Sequence, residues 1–167
     1  MKRIILGLLV LSFNASIAQS LAYIETDKIV EKMPEYELAT NEIDSLVNVW
    51  RTEVDKKFAT VEDLYQEYVK AELLLTNEIK KEKQEEIIEA EKVAKEYREQ
   101  KFGREGELSK IEESKLKPIR EKILETAAKV GKDKNYDYVF EKTTESGWIY
   151  TNPDHDLTGA VLSELGL

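Results

Sequence analysis

From Ile43 onward, apolar residues return at alternating steps of four and three: Ile43, Val47, Trp50, Val54, then Lys57, and on through Val61, Leu64, Tyr68, Ala71 and Leu75. Only Lys57 interrupts the series, and Phe58 stands beside it. More than four heptads with polar flanks predict a long coiled-coil helix. Such a helix leaves one apolar stripe in water unless a partner covers it. The partner lies downstream. Ile79, Ile87, Ala90, Ala94, Tyr97 and Phe102 form a thinner stripe, and Leu108, Ile111, Leu116, Ile119, Ile123, Ala127 and Val130 a fuller one.

Thr76-Asn77 is the turn-like pair between the two halves, with Glu78 suited to a new helix N-terminus. Pro34 and Pro118 each lie 42 residues from Thr76, so a turn there would set the two prolines level at the base of an antiparallel hairpin. At 1.5 Å per residue the arm extends about 60 Å. A rival turn at Gly103 to Gly106 would leave helices of very unequal length. Each of those glycines weakens a helix by about 1 kcal/mol.

Outside the arm the period changes. Leu21, Tyr23 and Ile24 predict a short strand, and Thr26 or Asp27 caps one helical turn. Pro34 suits the first turn of the long helix. After Gly131, expected to end the returning helix, Tyr136 to Glu141 and Trp148 to Tyr150 read as β-type runs around a polar turn. Asp154 or Asp156 is the expected cap of a last helix with Leu157, Val161, Leu162 and Leu165 on one face. Three short strands make a thin sheet that needs partner subunits to bury its apolar side.

The first residues belong to another category. Lys2 and Arg3 precede the apolar run Ile4 to Phe13, and small residues flank Ala18. This is the pattern of a secretory signal peptide over residues 1–18, with the mature chain starting at Gln19. The run is too short to span a membrane, so no stable membrane insertion is expected.

Charge and composition narrow the function further. The 167 residues include 35% charged residues, seven glycines, three prolines and no cysteine. Disulfides and thiol nucleophiles are therefore excluded. Loss of Lys2 and Arg3 would take the net charge from −9 to −11. An acidic chain repels phosphate backbones, so nucleic acid is not an expected partner. The lone His155 stands between Asp154 and Asp156, but carboxylates in such a Pro-containing loop more often cap a helix than hold a metal. Glu85-Glu86 and Glu112-Glu113 sit on helix surfaces with lysines nearby, not in a desolvated pocket. Neither an enzyme nor a cofactor is expected.

Several stretches are specific enough to carry a resemblance. "AYIETDKIVEKMPEYE", "LKPIREKILETAAKVGKDKNYDYVFE" and "WIYTNPDHDLTGAVLSEL", around a charged helical middle, resemble the Skp (OmpH) family of periplasmic chaperones. The resemblance implies a mostly helical α+β fold. A long antiparallel coiled-coil hairpin would project from a small β-sheet body, three copies forming a jellyfish-like homotrimer. In this sequence the body maps to 19–34 and 119–167, and the arm to 35–118 with its tip near 73–78. The implied activity is ATP-independent holding of unfolded outer-membrane β-barrel proteins in the periplasm, without catalytic residues. The best-known members are basic, whereas this chain is acidic. Leu73 and Leu74, flanked by Lys80 and Lys81, are the expected client contacts at the tip. The alternative role for both is to close the hairpin end against Ile79. The alternative reading is a structural coiled-coil adaptor of the cell envelope that binds one folded partner.

Overall fold

The computed structural model describes residues 19–143, 145 and 147–167. The expected signal peptide, 1–18, lies outside the described residues. The chain opens with strand β1 (Leu21–Ile24) and the short helix α1 (Thr26–Val30). Neither Thr26 nor Asp27 caps α1; the N-cap position is Glu25, whose side chain forms no capping bond.

Helix α2 (Pro34–Ala71) then runs 38 residues, about 57 Å. Pro34 occupies its first turn, where a missing N–H costs nothing. The heptad stripe is the covered face: Ile43, Trp50, Val54 and Tyr68 are buried, and Val47, Lys57, Val61, Leu64, Ala71 and Leu75 are half-buried. A 3-10 turn (Glu72–Leu74) ends the outward limb. The Thr76 hydroxyl accepts the Ile79 N–H at 3.4 Å and caps helix α3 (Asn77–Phe102).

The returning limb is not one helix. It breaks at Gly103–Gly106 and resumes as α4 (Glu107–Asp133), which continues through Pro118. The glycines therefore interrupt the hairpin instead of turning it. Near the tip, Gln84 Nε2 donates to the Tyr68 hydroxyl at 2.9 Å. Continued straight down, that register would set Glu35 opposite Lys117. Glu35 instead pairs with Lys122 at 2.7 Å, five residues later. The break takes up the extra residues. Pro34 and Pro118 are consequently not level, as equal spacing from Thr76 had suggested, but displaced by about 7 Å along the arm.

At the base sits one hydrophobic core. Ile24, Ile29, Met33, Ile123 and Val161 are its fully buried side chains. Ala22, Ala127, Val130 and Leu157 pack around them. Strand β2 (Tyr138–Glu141) pairs parallel with β1, Leu21 against Tyr138 through Ile24 against Glu141. The whole arm is thus the crossover of a two-stranded parallel sheet.

Two local expectations fail here for physical reasons. Gly131 does not end α4; it is buried inside it, and a Cβ there would stand 2.4 Å from Val139 Cγ2. The glycine lets helix and strand approach. The chain turns instead at Asn135, with φ at 60°, a left-handed conformation that asparagine tolerates. Trp148 to Tyr150 form no strand. The second edge of β1 is taken by Asp156, bridged to Tyr23, with the Leu157 N–H donating to the Tyr23 carbonyl at 2.9 Å. Helix α5 (Thr158–Leu165) follows with Leu157, not Asp154 or Asp156, at its N-cap position, while Asp156 Oδ1 accepts the Thr158 N–H at 2.8 Å.

Candidate functional site: arm tip and body face

A 3-10 turn between two helices presents its side chains outward, because no neighbouring helix covers the end of a hairpin. Leu73 is 95% and Leu74 88% exposed. Ile79, itself 41% exposed, does not cover them. Leu75 turns back into the seam. The tip is thus an uncovered pair of leucines, since its one apolar neighbour leaves both in water. Lys80 is half-buried and Lys81 exposed, 3.8 Å from Glu85. Lys83 pairs with Glu86 at 2.7 Å, which raises its pKa, so it stays a cation at any physiological pH. Around the leucines the charges alternate in sign; they form no phosphate cradle.

A second uncovered surface lies on the body. Tyr138 and Phe140 project from alternate positions of β2 with ring centroids 6.3 Å apart, and Trp148 meets Phe140 edge-on at 6.0 Å. All three are more than 40% exposed, Tyr150 is 77% exposed, and Ile149 extends fully into solvent. The sequence makes Trp148 to Tyr150 a β-type run of a sheet that partner subunits would cover. Within the chain they are not core. Beside β2, a groove of about 500 Å³ runs along α4, lined by Leu124, Ala128, Val139 and Glu141 among others.

Within the body, the start of α1 is held by charge. Lys142 Nζ lies 2.8 Å from Glu25, and Lys28 pairs with the other carboxylate oxygen. These bonds, Lys142 first, hold the Glu25 carboxyl below the usual carboxylate range and raise both lysines. Lys142 also rests over the Tyr23 ring at 5.0 Å. The network locks the β1–α1 junction to the segment after β2. A carboxylate kept ionised in this way is poorly suited to donate a proton.

His155 Nδ1 is 2.6 Å from the Leu21 carbonyl oxygen and therefore carries the proton. The ring tilts against Tyr136 at 5.9 Å. This places the histidine in a structural contact. Among the described residues, no three His, Cys, Asp or Glu side chains gather as a metal site. Nor, among the described residues, is any helix long and apolar enough to cross a membrane.

Sequence periodicity located the seam and tip but missed two features. In the Tyr138–Phe140–Trp148 cluster, strand alternation puts Tyr138 and Phe140 on one face, but Trp148 meets Phe140 from eight residues further along the chain, and no local period carries that contact. Lys142 with Glu25 spans 117 residues, and nothing short of the parallel register brings them together.

The fold as a whole has a counterpart among solved structures. Among curated proteins, none matches the sequence. A solved structure of a protein described as an outer membrane chaperone (OmpH-like), from Caulobacter crescentus CB15, superposes with a TM-score of 0.63 over 89% of this chain and 84% of its own. Their sequences are 9% identical, so that likeness concerns the fold alone. A family model for outer membrane protein (OmpH-like) matches residues 20–165. With nearly all of its described length matched, the chain belongs to the OmpH-like family.

Proposed function

We propose that the protein is an ATP-independent holdase that binds unfolded outer-membrane β-barrel proteins and prevents their aggregation. The observation that carries the reading is the uncovered Leu73–Leu74 pair at the end of a two-helix arm. Exposed apolar residues on a long lever suit transient contact with an unfolded chain, which offers many apolar groups and no fixed shape. The family and the OmpH-like chaperone fold support the same reading.

The reading includes a trimer in the periplasm, reached with the signal peptide 1–18 and processed to start at Gln19. Arms 35–118 would enclose the client, with 19–34 and 119–167 as the body. The body's aromatic face supports self-association: a two-stranded sheet with Tyr138, Phe140 and Trp148 in water is too thin to stand as an isolated layer. Three copies would cover those rings.

The test is the mass in solution of the protein from Gln19 onward. It is measured alone and after dilution of a urea-unfolded outer-membrane barrel into it. A trimer that keeps the barrel soluble is expected. A monomer or dimer that leaves the barrel to precipitate overturns the reading and favours the adaptor.

A further inference from the structure

Negative charge is unevenly distributed over the arm. Helix α2 carries nine carboxylates against four cations, whereas α3 and α4 together carry fourteen of each. Where the limbs touch, lysines of the returning limb answer α2: Lys115 pairs with Glu42 and Lys122 with Glu35. Further up the arm, on another face of α2, no lysine does so. Asp55 and Glu62 are exposed and form no ion pair among the described residues; Glu62 takes only a neutral bond from Gln66 Nε2 at 2.8 Å.

Asp55, Phe58, Glu62, Tyr65 and Val69 recur at steps of three and four, and so share one face of the helix. Tyr65 is 49% and Val69 47% exposed. Carboxylates and apolar groups thus alternate over about 20 Å of α2, leading up to Leu73 and Leu74. One cation already uses this chemistry. The Arg98 guanidinium lies over the Phe58 ring at 5.6 Å. A ring flanked by carboxylates attracts a guanidinium or ammonium by its quadrupole and by charge together.

We propose that this face of α2 is a docking surface for basic, apolar-rich stretches of unfolded chain, so that the arm selects clients by positive charge as well as by hydrophobicity. The proposal rests on the holdase reading. An extended segment of alternating apolar and basic residues sets its apolar groups on Tyr65 and Val69 and its cations beside Asp55 and Glu62. Each exposed pair is weak, but several act together, and salt weakens them.

The test uses two unfolded polypeptides of equal length and apolar content, one with excess lysine and one with excess glutamate, titrated into the full mature protein. The basic polypeptide is expected to bind about three- to tenfold more tightly, the effect of two exposed ion pairs. Raising the ionic strength should remove the difference. Asp55→Asn with Glu62→Gln, checked by circular dichroism and solution mass, should abolish the preference while leaving the acidic polypeptide's affinity unchanged. Tyr65→Ser should weaken both. Equal or tighter binding of the acidic polypeptide overturns the charge selection and leaves the holdase reading intact. A preference that survives the double substitution overturns the assignment to this face. Failure to bind either polypeptide overturns the holdase reading and this surface with it.

Discussion

Gly131 shows how a single residue carries tertiary information. In sequence it reads as a helix stop; in the fold it is the point where α4 touches β2. Gly131→Ala gains up to about 1 kcal/mol of helix propensity but drives a methyl into Val139, an overpacking cost of about 1–3 kcal/mol. A net loss of about 1 kcal/mol is expected in urea unfolding, and adding Val139→Ala should recover part of it. Glu25 makes a second prediction at this scale. Its folded pKa lies below the ordinary value of 4.5. Its stabilisation is therefore complete above that value and lost as pH falls through the folded pKa. Lys142, raised above 10.5, contributes until alkaline pH. Thermal unfolding followed from neutral pH down to strongly acidic pH should fall more steeply for the native chain than for Glu25→Gln. Parallel curves would show that the pair contributes nothing.

The elements owe their existence to period and their lengths to contacts. The heptad stripe of α2 is readable because, from Ile43 onward, every fourth and third residue faces the returning limb. Thr76 is readable because a hydroxyl at an N-cap satisfies an otherwise open N–H. Its bond is long and lies at an exposed tip, so Thr76→Ala should cost only about 0.5–1 kcal/mol. The expected sign is faster amide exchange at residues 77–80 with the lower arm unchanged. The break at Gly103–Gly106 is different. Two glycines signal weakness, yet only the pairings of Glu42 with Lys115 and Glu35 with Lys122 reveal that the limb slips five residues there. Lys101 bridges the break to Glu107 at 2.6 Å and lies over the Trp50 ring at 5.0 Å, so contacts across the limbs compensate for the lost helix.

At the scale of the whole molecule, the arm separates the uncovered leucines from the core by nearly the length of α2. Substitutions at the tip should therefore leave the fold untouched. Leu73→Ser with Leu74→Ser is expected to keep the native melting temperature and solution mass. Its capacity to hold an unfolded barrel, read by light scattering, should drop severalfold. A lower solution mass than the native chain's would instead place those leucines in subunit contact.

The sequence by itself determined the elements whose cause is local: the strand at β1, the long seam helix, the turn at Thr76 and the last helix. Periodicity, capping and turn chemistry act within a few residues, so they can be read without coordinates. Tertiary structure alone decided the parallel pairing of β1 with β2, the slipped register below Gly103, the role of Gly131 and the solvent exposure of Trp148 to Tyr150. Each depends on which distant segment reaches an edge first. When Asp156 takes the second edge of β1, a β-type run elsewhere cannot pair there, whatever its composition.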